Sequence, residues 1–416
     1  MKSKNITNIA IIGGGASGIF SSLRCAEIAN TKGINADIRV FEASNDILRK
    51  VKISGGGRCN VTHFIKEEKN LCLNYPRGQK EMLSPFVSFK TTDTVKWFKD
   101  RGVNLKHEAD GRMFPVTDNS NTIINCFIKE AKKYKVKILT KSNIKNITKL
   151  NNGKLSLLIN SKENFIADSV LIATGSKKSG YKIAESLGHT ITELAPSLFS
   201  FNIKDIIIKD LQGTSFSNSH LTLKIEGFKN FYQQGPLLIT HWGLSGPALL
   251  KLSSWAAREM KNSEYKAKIF INWLGLESKE KTQELIDNIK KNNTRSNISK
   301  IHPKELTKRF WIQLLTKCNI SMQKNWSDLT KIELEKIILN LFDCELSVNG
   351  KSRYKEEFVE CGGVNLKEIN FKTMESKICT GLFFSGEIID VDGITGGFNF
   401  QNAWTTGWIA GKNMIK

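Results

Sequence analysis

Metal-ligand spacing is missing from this chain. Its eight cysteines are scattered, no two form a C-x-x-C pair, and none clusters with histidine. That excludes a cysteine-built metal framework and gives no sign of a disulfide scaffold; the thiols read as reduced, in a cytosol. Missing too is any apolar run approaching the roughly 18 residues of a membrane span. Lys2 and Lys4 precede an apolar stretch, but it stops at Gly13, too short for the core of a secretion signal. The expectation is a cytoplasmic protein with no membrane partner and no metal. The chain also has no internal repeat, no low-complexity tract, no arginine-rich arm and no basic run of five or six residues. Acidic residues are scarce: 40 Asp and Glu stand against 62 Lys and Arg, for a net charge of +22. Such a balance points to an anionic partner, nucleic acid foremost. A chain rich in Lys, Asn and Ile also acquires that charge without any partner.

What the chain does have begins almost at once. The apolar run Ile9-Ala10-Ile11-Ile12 feeds into Gly13-x-Gly15-x-x-Gly18, and Ile19, Leu23 and Ala26 then recur at helical spacing. The reading is strand, tight turn, helix. Gly13 permits the turn, Gly15 lets a pyrophosphate approach the backbone, and Gly18 lets the helix pack close to the strand. The helix start, with Ala16 and Ser17, offers unpaired N–H groups and a positive dipole end to phosphates. A second strand, Ala36–Phe41, ends in Glu42, 29 positions beyond Gly13 and later than the usual spacing of about 20. Its carboxylate suits the two hydroxyls of an adenosine ribose.

A second glycine-rich stretch, Ser54-Gly55-Gly56-Gly57-Arg58-Cys59-Asn60, forms a loop able to lie flat against a planar or phosphorylated ligand. Residues 91–107 read as a helix, followed by another with Ser120 or Asn121 as N-cap. A buried strand, 169–173, ends in Thr174-Gly175. From about Leu194 short alternating segments suggest an antiparallel barrel or sandwich inserted in the first fold. Residues 277–342 look helical, with Pro303 in a first turn and the polar linker 292–300 as a proteolytic site. Past Gly350 the chain returns to α/β character. There a strand ends in Gly386-Glu387, and Asp390 and Gly397-Phe398-Asn399 precede a last helix over 401–412.

Five blocks in one order carry a resemblance: Gly13–Gly18, Ser54–Thr62, Gly111-Arg112-Met113-Phe114-Pro115, Thr240-His241-Trp242-Gly243-Leu244-Ser245-Gly246-Pro247, and Gly386-Glu387 through Asn399. Together they resemble the YhiN/BaiN-type flavoproteins, also called aminoacetone oxidase family FAD-binding enzymes, over nearly the whole chain. The resemblance implies an α/β fold: a glutathione-reductase-like FAD-binding Rossmann domain with an inserted antiparallel β-barrel and a helical subdomain. The corresponding boundaries are 1–192 with 356–416, 193–275 with 343–355, and 276–342. It implies FAD as cofactor, with Gly13, Gly15, Ala16, Ser17 and Gly18 at the pyrophosphate and Glu42 at the ribose. Lys50, Ser54, Gly56, Arg58 and Asn60 would line the phosphates and ribityl chain, and Thr174 and Gly175 the ADP half. Gly386, Glu387 and Asp390 would meet the ribityl hydroxyls, and Gly397, Phe398 and Asn399 the flavin pyrimidine edge. After Gly175 the family has a longer loop; here Ser176-Lys177-Lys178-Ser179 leads straight into Gly180-Tyr181.

No second G-x-G-x-x-G follows a strand, so an NAD(P)H donor would share one face of the flavin with the substrate. Reduction of a C=C bond also needs a general acid; the candidates are Cys59 and His241, with Tyr181 behind them. A buried histidine bonded to backbone and an inert thiol packed under the loop are the plainer readings. Three functions compete. The first is an NAD(P)H-dependent reductase of an activated C=C bond, in uridine of 23S ribosomal RNA or in a small enone of the 3-dehydro-bile-acid kind. The second is an oxidase of small amines or aminoketones, and the third an RNA-binding flavoprotein without catalysis. The charge favours the polyanion, with Lys279, Lys281, Lys290, Lys291, Lys304, Lys308 and Arg309 as its docking surface. The oligomeric state is left open.

Overall fold

The computed structural model describes residues 6–352 and 359–415; Lys2, Lys4 and the expected boundary at 355/356 lie outside them. The chain divides into two compact units, Met1–Leu194 with Val359–Lys416, and Ala195–Phe358.

The first unit is built on a seven-stranded sheet. Strand β1 (Thr7–Ile12) sits inside it, paired in parallel with β2 (Ala36–Phe41) on one side and with Ser169–Ile172 on the other. Leu382–Phe384 extends the parallel set, and the short strands Glu375–Ser376 and Ile369–Asn370 close that end antiparallel. Lys137–Leu139 forms the opposite edge. Ile9, Ala10 and Ile11 are wholly buried, which is why the strand reads as an unbroken apolar run and not an alternating one. Between β1 and helix α1 (Ala16–Thr31), Gly13 takes φ +110°, and a Cβ there would stand 2.4 Å from the Ala173 carbonyl oxygen. No side chain fits that turn. The last helix, Phe398–Asn413, packs on α1. Phe20 of α1 is the hub of an aromatic cluster, with ring centroids 4.9 Å from Trp97 and 5.4 Å from Trp404.

Several sequence expectations shift. The helix expected over 91–107 ends at Lys99, where Gly102 (φ +79°) turns the chain, Val103 N–H bonds back to Phe98 (3.0 Å), and a strand, Leu105–His107, follows. The next helix is capped by neither Ser120 nor Asn121. Asn119 accepts the Asn121 N–H (2.9 Å), while the Ser120 hydroxyl donates to the Lys52 carbonyl. The last helix starts at Phe398, three residues before the expected start. Strand Glu163–Ala167, too polar to stand out, completes a three-stranded sheet with Ile144–Lys149 and Leu155–Ile159.

One end of the large sheet is pinned by a buried relay. His189 Nδ1 lies 3.0 Å from Glu368 Oε2, and its Nε2 2.8 Å from Ser376 Oγ. This is the order of a serine hydrolase triad, but Ser376 Oγ already accepts the Ile378 and Cys379 N–H groups and the residue is buried. Its proton therefore goes to Nε2, and the imidazole is neutral with Nδ1–H donating to Glu368. The relay is a clamp. Burial pushes the His189 pKa below its ordinary value, against the opposing pull of Glu368. The unfolded chain then binds a proton that the native state refuses, so stability falls as pH drops below about 6.5, by at most ~1.4 kcal/mol per pH unit. Urea midpoints between pH 7.5 and 5.5 should show that slope and His189→Asn should flatten it; an unchanged slope in the variant would assign the dependence elsewhere.

The second unit contains a closed antiparallel barrel of six strands: Phe201–Ile203, Gly243–Ser245, Phe231–Thr240, Ser215–Lys224, Lys266–Asn272 and Cys344–Lys351, in that order around it. Alternating residues such as Leu221, Leu223, Ile269 and Ile271 fill its interior and are buried. Helices Lys279–Asn292, Lys308–Lys317 and Lys331–Phe342 share that core. Pro303 lies in a turn ahead of the second helix, which begins at Lys308 with Thr307 Oγ accepting the Phe310 N–H. The linker 292–300 is anchored: Ile298 is fully buried, its carbonyl accepting from Trp311 Nε1 (2.8 Å). The expected basic surface on these helices is partly neutralised. Lys279 faces Glu335, Lys281 pairs with Glu284, and Lys290 and Arg309 donate to backbone carbonyls.

Candidate active site

In the first unit the carboxyl ends of the parallel strands bring three glycine-rich turns together. Helix α1 opens at Gly15, which is extended (φ −80°, ψ −171°) and has no side-chain cap. The amides of its first turn therefore face outward, and a Cβ on Gly15 would meet no atom within 4 Å. Open space over an uncapped helix N-terminus is the shape a pyrophosphate fills. Behind it, a Cβ on Gly18 would lie 2.0 Å from the Gly13 carbonyl oxygen. The α1–β1 contact is that close.

Glu42, at the end of β2, is buried. Its Oε2 accepts the Gly14 N–H (2.8 Å), and its Oε1 accepts the Ser44 N–H (2.8 Å) and hydroxyl (2.7 Å). Lys177 Nζ stands 3.6 Å away. Burial alone would raise the carboxyl pKa, but the Ser44 and Gly14 hydrogen bonds and the Lys177 charge outweigh it and hold the group below the usual carboxylate range. It is an ionised acceptor at the end of β2.

The opposite pole is the turn after Leu382–Phe384. Ser385 Oγ accepts from Ser17 Oγ (2.6 Å), tying this turn to the start of α1. Glu387 pairs with Lys50 (2.5 Å), and a Cβ on Gly175 would lie 3.6 Å from Glu387 Oε2. Asp390 accepts the Gly362 N–H (3.0 Å). With its amide oriented to satisfy both neighbours, Asn60 donates to the Thr62 carbonyl and accepts the Gly397 N–H, both at 3.0 Å, which ties its loop to the residue ahead of the last helix. Asn399 makes a pair of 2.8 Å bonds with Gly393, and Phe398 stacks on His63 with centroids 4.8 Å apart. Thr174 packs against Gly180, and next to it the Tyr181 hydroxyl is buried with no hydrogen-bond partner among the described residues. Burial, with Glu387, Glu360 and Asp390 nearby, pushes its pKa well up. It keeps its proton and has a donor to offer, so a bound group with an oxygen acceptor suits it.

Not every expected residue points into this crevice. Arg58 turns away to Glu108 (2.7 Å) and lies 3.9 Å over the Phe114 ring. Ser54 Oγ donates to the Val51 carbonyl of its own helix. Gly56 is open on all sides. Cys59 is fully buried at φ +66°, and burial pushes its thiol up to about 12. His241, read as either a catalytic acid or a buried histidine, is exposed in the turn between two barrel strands of the second unit. Not assigned to the site from sequence were Ser385, Lys177 and the buried pair Arg77–Asp392. Positions 77 and 392 carry no local motif linking them, so only the fold reveals the pair.

This fold and site define an FAD-dependent oxidoreductase. The chain belongs to the HI0933-like family: the family's Rossmann-domain model matches residues 7–413. A Haemophilus influenzae protein named ribosomal RNA dihydrouridine synthase is 27% identical over 96% of each chain. A Clostridium scindens protein named 3-dehydro-bile acid delta(4,6)-reductase is 27% identical over 98% of each. Among solved structures, 3-ketosteroid-delta4-(5alpha)-dehydrogenase from Rhodococcus jostii aligns with a TM-score of 0.52 at 10% identity, covering 99% of this chain and 97% of that one. Among the described residues no helix is long and apolar enough to cross a membrane.

Proposed function

We propose that this protein is an NAD(P)H-dependent reductase of an activated C=C bond, acting on uridine in 23S ribosomal RNA to give dihydrouridine. One observation carries the reading: of two relatives spanning essentially the whole chain, one is named for making dihydrouridine, the product of reducing such a bond, and the other as a reductase of such bonds. The choice of RNA over a small enone rests on the net charge of +22. Bound FAD would supply the hydride. The chain's own residues have narrower tasks. The uncapped start of α1 takes the pyrophosphate, ionised Glu42 accepts ribose hydroxyls, and Lys50–Glu387 and Tyr181 hold the groups between them. No second dinucleotide motif is present, so donor and substrate would occupy the same flavin face in turn.

Of the two candidate acids we keep His241, whose imidazole is exposed. Cys59 lies fully buried with its proton firmly held, and packing is the role that suits it. The test is the dihydrouridine content of large-subunit ribosomal RNA, by nucleoside mass spectrometry, in cells with and without the gene. Loss on deletion should be restored by the wild type, and not by Gly15→Val or by His241→Gln. An unchanged dihydrouridine level in the deletion would overturn the RNA reading and return attention to small enones and to amine oxidation.

A further inference from the structure

The positive charge is not gathered on the inserted unit. Residues 195–358 hold 25 Lys and Arg against 17 Asp and Glu, a net +8, whereas the rest of the chain holds 37 against 23, a net +14. Within that larger share one stretch stands apart. Between Lys129 and Lys149 there are eight lysines and a single acid, Glu130. The lysines recur every one to four residues and never stand more than two in a row, so a search for basic runs passes over them.

All eight are exposed, and Glu130 is buried. Lys129, Lys132 and Lys133 occupy the end of helix Ser120–Lys133, where cations suit the helix dipole. Lys135 and Lys141 sit in the turns that flank the edge strand Lys137–Leu139, both at positive φ. Lys145 and Lys149 continue along the strand Ile144–Lys149. Two of the eight have carboxylate partners: Lys133 with Glu130, and Lys137 with Asp37. Guarding exposed sheet edges against pairing explains Lys137, Lys145 and Lys149. It does not explain Lys129, Lys132, Lys135 or Lys141. The belt also reaches the nucleotide end of the sheet, because Lys141 N–H bonds to the Ser44 carbonyl (3.0 Å) and Ser142 N–H to the Glu42 carbonyl (2.9 Å).

We propose that the lysine belt from Lys129 to Lys149 is the surface on which the phosphate backbone of structured RNA docks. The proposal rests on the RNA reading above and moves the docking face from the inserted helices to the nucleotide-binding unit. Lysine suits this task as a point charge that contacts phosphate without reading sequence.

The experiment uses the full-length, flavin-loaded protein and in-vitro transcribed 23S ribosomal RNA, with binding measured across a salt series. The variant Lys129→Gln/Lys132→Gln/Lys135→Asn/Lys141→Asn spares the edge lysines, and Asn is tolerated at positive φ. With four phosphate contacts removed, its log–log salt slope should fall by roughly 3. Affinity at moderate salt should drop at least ~10-fold, with flavin content and thermal midpoint unchanged. Lys291→Gln/Lys304→Gln/Lys308→Gln, on the second unit, should change affinity less than about 2-fold. A belt variant that keeps the wild-type slope would overturn the docking surface and leave the RNA reading standing. So would a loss confined to the second-unit variant. Wild-type protein that shows no salt-dependent RNA binding, or that binds phosphatidylglycerol vesicles in its place, would overturn both.

Discussion

Gly15→Val should purify as a folded but colourless protein, carrying less than about a tenth of the flavin of the wild type. The two halves of that expectation have separate causes. Gly15 is extended, at dihedrals open to any L-residue, and no protein atom lies within 4 Å of the Cβ it lacks. The fold therefore admits a side chain there, at the cost of a poorer N-cap, about 1 kcal/mol. The isopropyl group would stand in the space over the first amides of α1, where the pyrophosphate needs direct approach to the backbone. Gly18→Ala is the opposite case. Its Cβ would lie 2.0 Å from the Gly13 carbonyl oxygen, a backbone atom that cannot swing aside. The helix must lift off the strand, and the cost should be ~1–3 kcal/mol or more, with or without cofactor. Absorbance at flavin wavelengths per mole of protein, read beside the thermal midpoint after stripping, separates the two. Added FAD should raise the midpoint of the wild type and leave that of Gly15→Val in place, since only a ligand that binds the native state stabilises it. Wild-type flavin content in Gly15→Val would remove the pyrophosphate from this turn.

The same glycines mark how far the sequence could be read. A β–turn–α unit is local: the apolar run, three glycines at fixed spacing and the helical periodicity lie within about twenty residues, and each is dictated by close approach of backbone to backbone. The barrel strands were legible for a similar reason, since alternation along Leu221–Leu223 and Ile269–Ile271 reports a one-sided core. Contacts that join distant segments left no such trace. Ser17 meets Ser385, Lys50 meets Glu387 and Asn60 accepts the Gly397 N–H, each across more than 300 residues. Arg58 has the chemistry of a phosphate ligand, yet Glu108 and the Phe114 ring claim it. Charge is legible only where it is periodic. Lysines on amphipathic helices draw attention to 277–342, while a belt spread over a helix, two turns and two strands has no single periodicity to announce it.

Arg77→Ala should cost the first unit ~3–5 kcal/mol. Arg77 and Asp392 form a bidentate pair, with Arg77 Nε 2.5 Å from Asp392 Oδ1 and Nη2 closing on Oδ2. The carboxylate side chain is 1% exposed and the guanidinium 11%. Burial works against the Arg77 charge, but Asp392 overrides it, and Asp390 and Cys361 add to the pull, so the guanidinium stays firmly protonated. Truncating the arginine takes both guanidinium bonds from a buried carboxylate, between Val391, packed on Gly78, and the Gly393 turn that Asn399 holds. Lysine is a poor substitute, since a point charge cannot hold both oxygens. The double variant Arg77→Met/Asp392→Leu removes both charges and keeps the volume, so it should recover most of the loss. Urea unfolding of the wild type, Arg77→Met, Asp392→Leu and the double variant closes the cycle, with Arg77→Ala read beside them. A double variant as unstable as Arg77→Ala would mean that the pair does more than cancel its own burial, and that the turn leading into the last helix depends on the charges themselves.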